Sequence, residues 1–432
     1  MLASRLPLIS VRSAILFFGI AKSLIVPCLS KEPWEDLQEQ NRLLRSQLQS
    51  QQHQLDELRS QVERLNEGRD AGPASGKASG SPSADRKLIV TGEVGAAFFA
   101  ASRNGQYANK EFRIDDANVR VEASIAKNTY LFGEVQMAKR EAGDENFHLG
   151  EFYFEFEDIS GSWGGPTRLV NARVGRMDIP FGEEYQVRDP LTNPLVTHSL
   201  SDIWGTDEGI ELFGEFGRSS YAFAVQNGSS KTMRDYNSDK SLTFRYGFDV
   251  TPKLHVSASA MRTGKLDSVR EPMSEVWIGN SIFRNIGSAA STVHQAELGE
   301  LDAIYRWSAG QLMVAGGRAR YRDDDPRANN TRHFTYYQAE AMQLLTREWY
   351  AAARLSTLSV DDGYPLVGIG NFGQYFFGPL HTKSMRRMTL GAGYRFNRSL
   401  VLKLDYTFED AKLTTGASRD TRMLSFESAI GF

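Results

Sequence analysis

Cysteine is almost absent: Cys28 is the only one in 432 residues, so no intrachain disulfide can form and the fold must be held by packing and backbone pairing. Proline is scarce at 14 residues, and past the N-terminus there is no uncharged apolar run of about 18 residues, which excludes helical membrane spans. That absence leaves a β-barrel open, because barrel strands show lipid an apolar residue only at every second position. Positive charge is not in excess; the net charge of -3 rules out a nucleic-acid binder that works through bulk positive potential. Signatures of catalysis are missing too. The seven histidines, at 53, 148, 198, 255, 294, 333 and 381, show no HExxH spacing, and the chain has no CxxC pair, P-loop or GxSxG elbow. We therefore expect no enzyme, no cofactor and no metal. His198 with Ser199 and Ser201 is the nearest approach to a hydrolase constellation, and it reads better as a polar loop cluster.

What is abundant points to β structure. Aromatics make up 11% of the chain, led by 25 Phe and 16 Tyr, and glycine stands at 38. Before that region come three segments of different character. Residues 1–30 read as a secretory signal: Arg5 and Arg12 supply the positive region, Ile15 to Ile20 begin an apolar stretch that Lys22 interrupts, and Cys28 and Ser30 offer a small-x-small site before Lys31. Leu24, Ile25 and Val26 before Cys28 also suit lipidation, although Pro27 stands where a lipobox expects a small residue.

Residues 31–67 read as a periplasmic coiled coil. Asn41, Leu48, Leu55 and Val62 fall at a positions and Leu44, Gln51, Leu58 and Leu65 at d, with Leu37 as the preceding d. Gln and Arg dominate the other positions, so no wider stripe exists for packing on a globular core. Asn41 and Gln51 lower stability but fix register and oligomer state. Residues 68–86, GRDAGPASGKASGSPSADR, form a flexible linker without an apolar anchor.

From Lys87 the hydrophobic period changes to two. Phe152, Phe154 and Phe156 alternate with polar neighbours, as do Leu242 to Phe248, Leu390 to Phe396 and Leu400 to Phe408. The segments run ten to twelve residues, longer than the roughly five or six of soluble sheets. Their polar faces carry charge and glycine in succession. We expect sixteen strands, near 87–103, 109–126, 128–139, 147–158, 167–177, 207–218, 219–229, 239–250, 253–264, 294–307, 310–322, 331–345, 347–359, 383–397, 399–410 and 421–432. An even number of this size closes into a porin-sized antiparallel transmembrane barrel over residues 87–432, with an aqueous lumen. The chain ends SFESAIGF, alternation running into Phe432, which suits a closing strand with its ring in an aromatic girdle. Short links such as Gly217-Arg218-Ser219 would be periplasmic turns, and 265–293 and 360–382 extracellular loops.

The stretch from Gly175 to Gly209 is too rich in proline for a strand and too rich in charge and aromatics for a slack linker. Placed after the fifth strand, it could fold into the lumen and narrow it. Within it, Gly175-Arg176-Met177-Asp178-Ile179-Pro180-Phe181-Gly182-Glu183-Glu184 resembles the G-x-x-K-x-P-F-G-x-E signature of the phosphate-selective porin O/P family. The resemblance implies a trimeric sixteen-stranded outer-membrane channel, several members of the family carrying an N-terminal periplasmic coiled coil. This chain has Asp178 where the family pattern commonly has lysine, so phosphate selectivity does not carry over with the fold.

Asp178, Glu183, Glu184 and Arg188 are the expected constriction residues, Glu183 and Glu184 as lining or hydrogen-bond acceptors rather than an acid/base couple. Arg318, Arg320 and Arg322 share one strand face. Because an arginine facing lipid at mid-bilayer costs roughly 2–4 kcal/mol, that row is expected to face the lumen or lie above the membrane. Arg120, Arg173, Arg245, Arg354, Arg395 and Lys403 are expected inside as well, balanced by Glu122, Glu134, Glu151, Glu155, Glu211, Glu215, Glu300, Asp302, Glu340 and Asp405. The expected protein is a homotrimeric outer-membrane porin that passes small hydrophilic solutes by passive diffusion, anions such as phosphate among them. Its partners would be outer-membrane lipid and those solutes, with no nucleic acid. A rival reading gives the coil a contact with peptidoglycan or a periplasmic partner and makes the barrel an anchor.

Overall fold

The computed structural model describes residues 88–139, 148–229 and 235–432. The expected signal, coiled coil and linker, and with them Asn41, Leu44, Leu48, Leu55, Leu58, Val62 and Leu65, lie outside the described residues. Among the described residues seventeen strand segments form one sheet. Leu266–Asp267 continues the line of Leu254–Arg262 along the same neighbour, Val293–Trp307, so the wall has sixteen staves.

These are β1 (Leu88–Ala101), β2 (Glu111–Ala126), β3 (Thr129–Lys139), β4 (His148–Phe156), β5 (Asn171–Asp178), β6 (Thr206–Phe216), β7 (Ser219–Gln226) and β8 (Ser241–Thr251). They continue as β9 (Leu254–Arg262), β10 (Val293–Trp307), β11 (Gly310–Asp323), β12 (Arg332–Leu344), β13 (Trp349–Tyr364), β14 (Thr382–Asn397), β15 (Leu400–Leu413) and β16 (Ser418–Gly431). Each pairs antiparallel with the next, and β16 returns to β1 from Glu93↔Gly431 to Ala101↔Met423. Closure removes every free edge, so each strand satisfies its backbone groups on both sides. Phe432 extends the seam by exchanging backbone hydrogen bonds with Gly92 at 3.0 and 3.2 Å. A Cβ on Gly92 would meet the Phe432 ring at 2.6 Å, so only glycine leaves room for the ring over the seam.

The strand bounds lie close to the expected ones, and the two largest shifts have local causes. β5 starts at Asn171 rather than 167 because Asp158 caps the preceding turn, accepting from the Arg168 N–H at 2.8 Å beside the short helix Ile159–Ser162. β13 runs on to Tyr364 rather than 359, through a register shift at Ser359/Tyr364 that absorbs the loop-like Asp362 and Gly363, both at positive φ. Two-residue turns, such as Gly217-Arg218 and Arg398-Ser399, lie at one rim with the C-terminus and the longer connection 157–170, and the other long connections lie at the opposite rim. Among the described residues no helix is long and apolar enough to cross a membrane.

Burial is inverted relative to a water-soluble domain. Phe154, Leu404 and Phe426 stand 45%, 50% and 41% exposed on the outer face, while Glu340, Lys403 and Glu427 inside are at most 2% exposed. A wall that is apolar outside and charged inside is stable against hydrocarbon and not against water.

The lumen is not wholly aqueous as expected. The connection 263–292 turns inward as a hairpin, Met273–Ile278 with Ser281–Arg284, joined at Gly279 and Asn280, both at positive φ as a type I′ turn requires. Ile203–Trp204 adds a third strand, with Trp204 and Trp277 stacked at 5.3 Å. Val276, Ile278 and Phe283 bury against Phe334, Tyr336 and Leu358 of the inner wall. An apolar core therefore fills one side of the barrel interior.

Leu404 lies on the outer face opposite Phe426 in the β15–β16 register. Leu404→Arg is expected to lower the unfolding free energy of the chain in phospholipid vesicles by about 2–4 kcal/mol. A denaturant midpoint equal to wild type would place Leu404 out of contact with lipid.

Candidate pore constriction

The connection from Ile179 to Gly205 enters the barrel through Pro180, Phe181 and Gly182. Gly182 has φ +70°, its N–H donates to Ser259 Oγ at 3.0 Å, and a Cβ there would meet Glu300 Oε1 at 2.4 Å. This glycine lets the chain turn tightly against the β9–β10 wall. Ile179, Phe181, Leu200 and Ile203 are anchored in the apolar core already described.

The loop then crosses to β13–β16, where the wall holds it by charge. Arg354 Nε donates to Glu340 at 2.7 Å, Arg387 Nε to Glu409 at 2.8 Å, and Lys403 pairs with Glu427. The remaining donors reach loop carbonyls: Arg387 to His198 O at 2.6 Å, Lys403 to Pro190 O at 2.7 Å and Leu195 O at 3.2 Å, and Arg354 to Thr197 O. Asp405 Oδ2 accepts from the Val196 and Thr197 N–H groups at 2.8 and 3.1 Å, and Ser356 Oγ from Leu200 N–H at 3.0 Å. A buried backbone group without a partner costs about 1–3 kcal/mol, so a polar wall is what a buried loop requires.

With the loop docked on that side, open space remains on the other. A gap of about 340 Å³ lies between the loop, at Gln186, Arg188 and Asp189, and the β2–β5 wall, at Asp116, Arg120, Glu134, Glu151 and Asp178. Arg120 spans it, donating to Glu134 at 2.8 Å and to Asp189 at 3.0 Å. Arg188 is held by Asp202 at 2.7 Å and stacks over Trp204 at 4.4 Å. Both arginines at the gap are thus charge-compensated, and the named carboxylates outnumber them.

The expected site residues divide accordingly. Asp178, Arg188 and Arg120 come together at the gap. Glu183 and Glu184 do not line it: both are buried, Glu183 paired with Arg245 at 2.9 Å and Glu184 accepting from Ser199 Oγ at 2.6 Å. They serve as internal acceptors, because the Phe181-Gly182 turn directs them under the loop. Arg173 faces inward but toward the short-turn side, between Glu155 at 2.7 Å and Glu211 at 3.4 Å, and Arg395 lies over the Tyr350 ring at 5.3 Å. Neither reaches the gap.

Arg318, Arg320 and Arg322 do not face the lumen, one of the two placements expected for them. They stand exposed on the outer face of β11, and the inward positions are Ala315, Ala319 and Tyr321. The reason is the apolar plug: small and aromatic residues are needed where the wall meets it, so the charged face turns outward.

Sequence reasoning did not single out Asp116, Asp189 or Trp204 at the gap, or Arg387, Glu409 and Glu427 on the docking wall. Strict alternation from Lys403 and Asp405 leads to Glu409, and their cross-strand partners lead to Glu427 and Arg387. Asp116 is masked by the register shifts that flank it, between Gly95 and Ala96 and between Ala117 and Asn118, which break the inside–outside count.

No protein-family profile matches the chain, and no curated protein matches it in sequence. Solved structures do match in fold. OmpT, an outer membrane protein of Vibrio cholerae, aligns at a TM-score of 0.53 and 10% identity over 82% of this chain and 100% of its own. The outer membrane channel DcaP of Acinetobacter baumannii aligns at 0.53 and 9% over 83% and 100%. An anion-selective porin from Comamonas acidovorans aligns at 0.52 and 10% over 80% and 100%. At such identities the likeness is one of fold, a sixteen-stranded barrel of the porin type.

Burial, with Asp202 as the next cause, pushes the Glu184 carboxyl up from 4.5 to about 7. A raised carboxyl favours the docked loop at low pH: the contribution is full below about 4.5 and is lost as pH rises through about 7. Hydrogen exchange at Ser199 to Asp202 should therefore quicken between pH 5 and 8, and Glu184→Gln should flatten that dependence. A wild-type profile following only the intrinsic exchange rate would contradict the assignment.

Proposed function

We propose that the chain is a porin of the bacterial outer membrane, passing small hydrophilic solutes by passive diffusion through the gap beside the inserted loop. One observation carries the reading: a loop fixed across the lumen by buried polar contacts leaves a charged space of about 340 Å³ against the opposite wall. A channel that selects by size and charge needs such an immobile rim, since a mobile one would give no defined cross-section. The fold likeness to outer-membrane channels supports the placement.

Selectivity follows from the lining. Arg120 is shared among Glu93, Glu134 and Asp189, and Arg188 is held by Asp202, so these charges at the gap leave an excess of carboxylate. The local field favours cations over anions. The phosphate path implied by the sequence resemblance would have to run through those two arginines, past Asp178 in the place of a lysine. We further propose that the coil at 31–67 joins three copies in the periplasm; OmpT of Vibrio cholerae is known in a trimer form.

Planar-bilayer recordings of the purified chain in a KCl gradient should show discrete steps with a reversal potential of cation sign. Asp189→Asn should move that potential toward zero without abolishing the steps. A reversal potential of anion sign, with phosphate blocking the chloride current, would favour the anion path instead. The absence of steps would favour the anchoring role. For the oligomer, removing Leu37 to Leu65 should loosen subunit association in native gels, and identical monomer bands with and without the coil would contradict it.

A further inference from the structure

The three outward arginines of β11 have no place in a diffusion path, and their surroundings suggest a different ligand. By strand register, Glu297, Arg320 and His333 form one outward row across β10–β12, and Gly299, Arg318 and Thr335 form the next. The row below, Leu301, Gly316 and Tyr337, begins the apolar belt, with Leu301 and Tyr337 among the most exposed apolar side chains of the wall. The arginines thus sit where hydrocarbon gives way to headgroups, on the side of the long connections.

The carboxylates nearby are already engaged. Glu297 accepts from Arg322 at 3.3 Å, and Asp361 faces His333 at 3.9 Å. Arg318 and Arg320 make no side-chain hydrogen bond or ion pair among the described residues. Beside them the wall carries a groove of about 650 Å³, and a Cβ on Gly299 would find nothing nearer than 3.8 Å, so the floor next to the Arg318 guanidinium is open. Two guanidinium groups on alternate residues of one strand face, neither engaged by a carboxylate, can both donate to the oxygens of one phosphate.

We propose that Arg318 and Arg320 form a binding site for the phosphate of a membrane-lipid headgroup, the acyl chains lying over the apolar row of Leu301 and Tyr337. The site is separate from the lumen and rests on the outer-membrane placement proposed above. A basic cluster held at a bilayer surface gains from anionic headgroups additively.

The test uses the full chain in detergent, titrated with bisphosphorylated lipid A, its dephosphorylated form and inorganic phosphate, with retained ligand counted by native mass spectrometry. Wild type should retain the phosphorylated lipid and release the dephosphorylated one. Arg318→Gln/Arg320→Gln should retain roughly tenfold less, with single-channel conductance unchanged because neither residue reaches the gap. Equal retention by the variant, or equal retention of the dephosphorylated lipid, would overturn the proposal. Displacement of the lipid by an equal concentration of inorganic phosphate would also overturn it, by making this a free-anion site. Failure of the porin reading would show separately, as a wild-type chain that gives no conductance steps.

Discussion

A cation buried in the barrel wall is tolerable only with a carboxylate beside it, and three such pairs stand in a row: Arg354 with Glu340, Arg387 with Glu409, Lys403 with Glu427. Removing one partner of a buried pair costs about 3–5 kcal/mol, so these pairs are fixed features of the wall. Each cation retains donors that its carboxylate does not use, and those donors hold the carbonyls of Pro190, Leu195, Thr197 and His198. The position of the loop and the width of the gap beside it both depend on this arrangement.

Alongside that wall, toward the long connections, the interior is built on the other principle. There the hairpin from Met273 to Arg284 and the ends of the crossing loop meet Tyr321, Phe334, Tyr336 and Leu358 in an apolar core. The loop is therefore held by hydrophobic burial at its two ends, and in the middle by hydrogen-bonded charge together with Leu195 and Val196, each in a smaller apolar cluster. Burial is non-directional and tolerates small shifts, whereas the charged wall specifies which carbonyl lies where. The division places the geometrically exact contacts next to the gap.

The strands were legible because a period of two over ten or more residues admits few other structures, and Phe152 to Phe156 or Leu400 to Phe408 show it without ambiguity. Which face points inward was legible wherever one face is charged, as at Arg354, Lys403 and Asp405. It was not legible on β11, where Ala315, Ala319 and Tyr321 alternate with Arg318, Arg320 and Arg322: with no knowledge of the plug, the charged face is the natural interior. The crossing loop was legible as a segment folded into the lumen from its length, its proline and its place after the fifth strand. Its internal register was not, because Glu183 and Glu184 look like pore lining until the Gly182 turn puts them beneath the chain. Asp116 escaped because the irregularities on either side of it defeat any count by alternation.

The central claim, that the docked loop forms one side of the conducting gap, is tested most directly by cysteine accessibility in a Cys28→Ser background. Gln186 is exposed at the gap, and Leu195 is 1% exposed against the docking wall. A positively charged methanethiosulfonate reagent should reduce the single-channel current of Gln186→Cys and leave that of Leu195→Cys unchanged. Unaltered current at Gln186→Cys after confirmed modification, or rapid block at Leu195→Cys, would mean that ions take another route and that the loop does not bound the path.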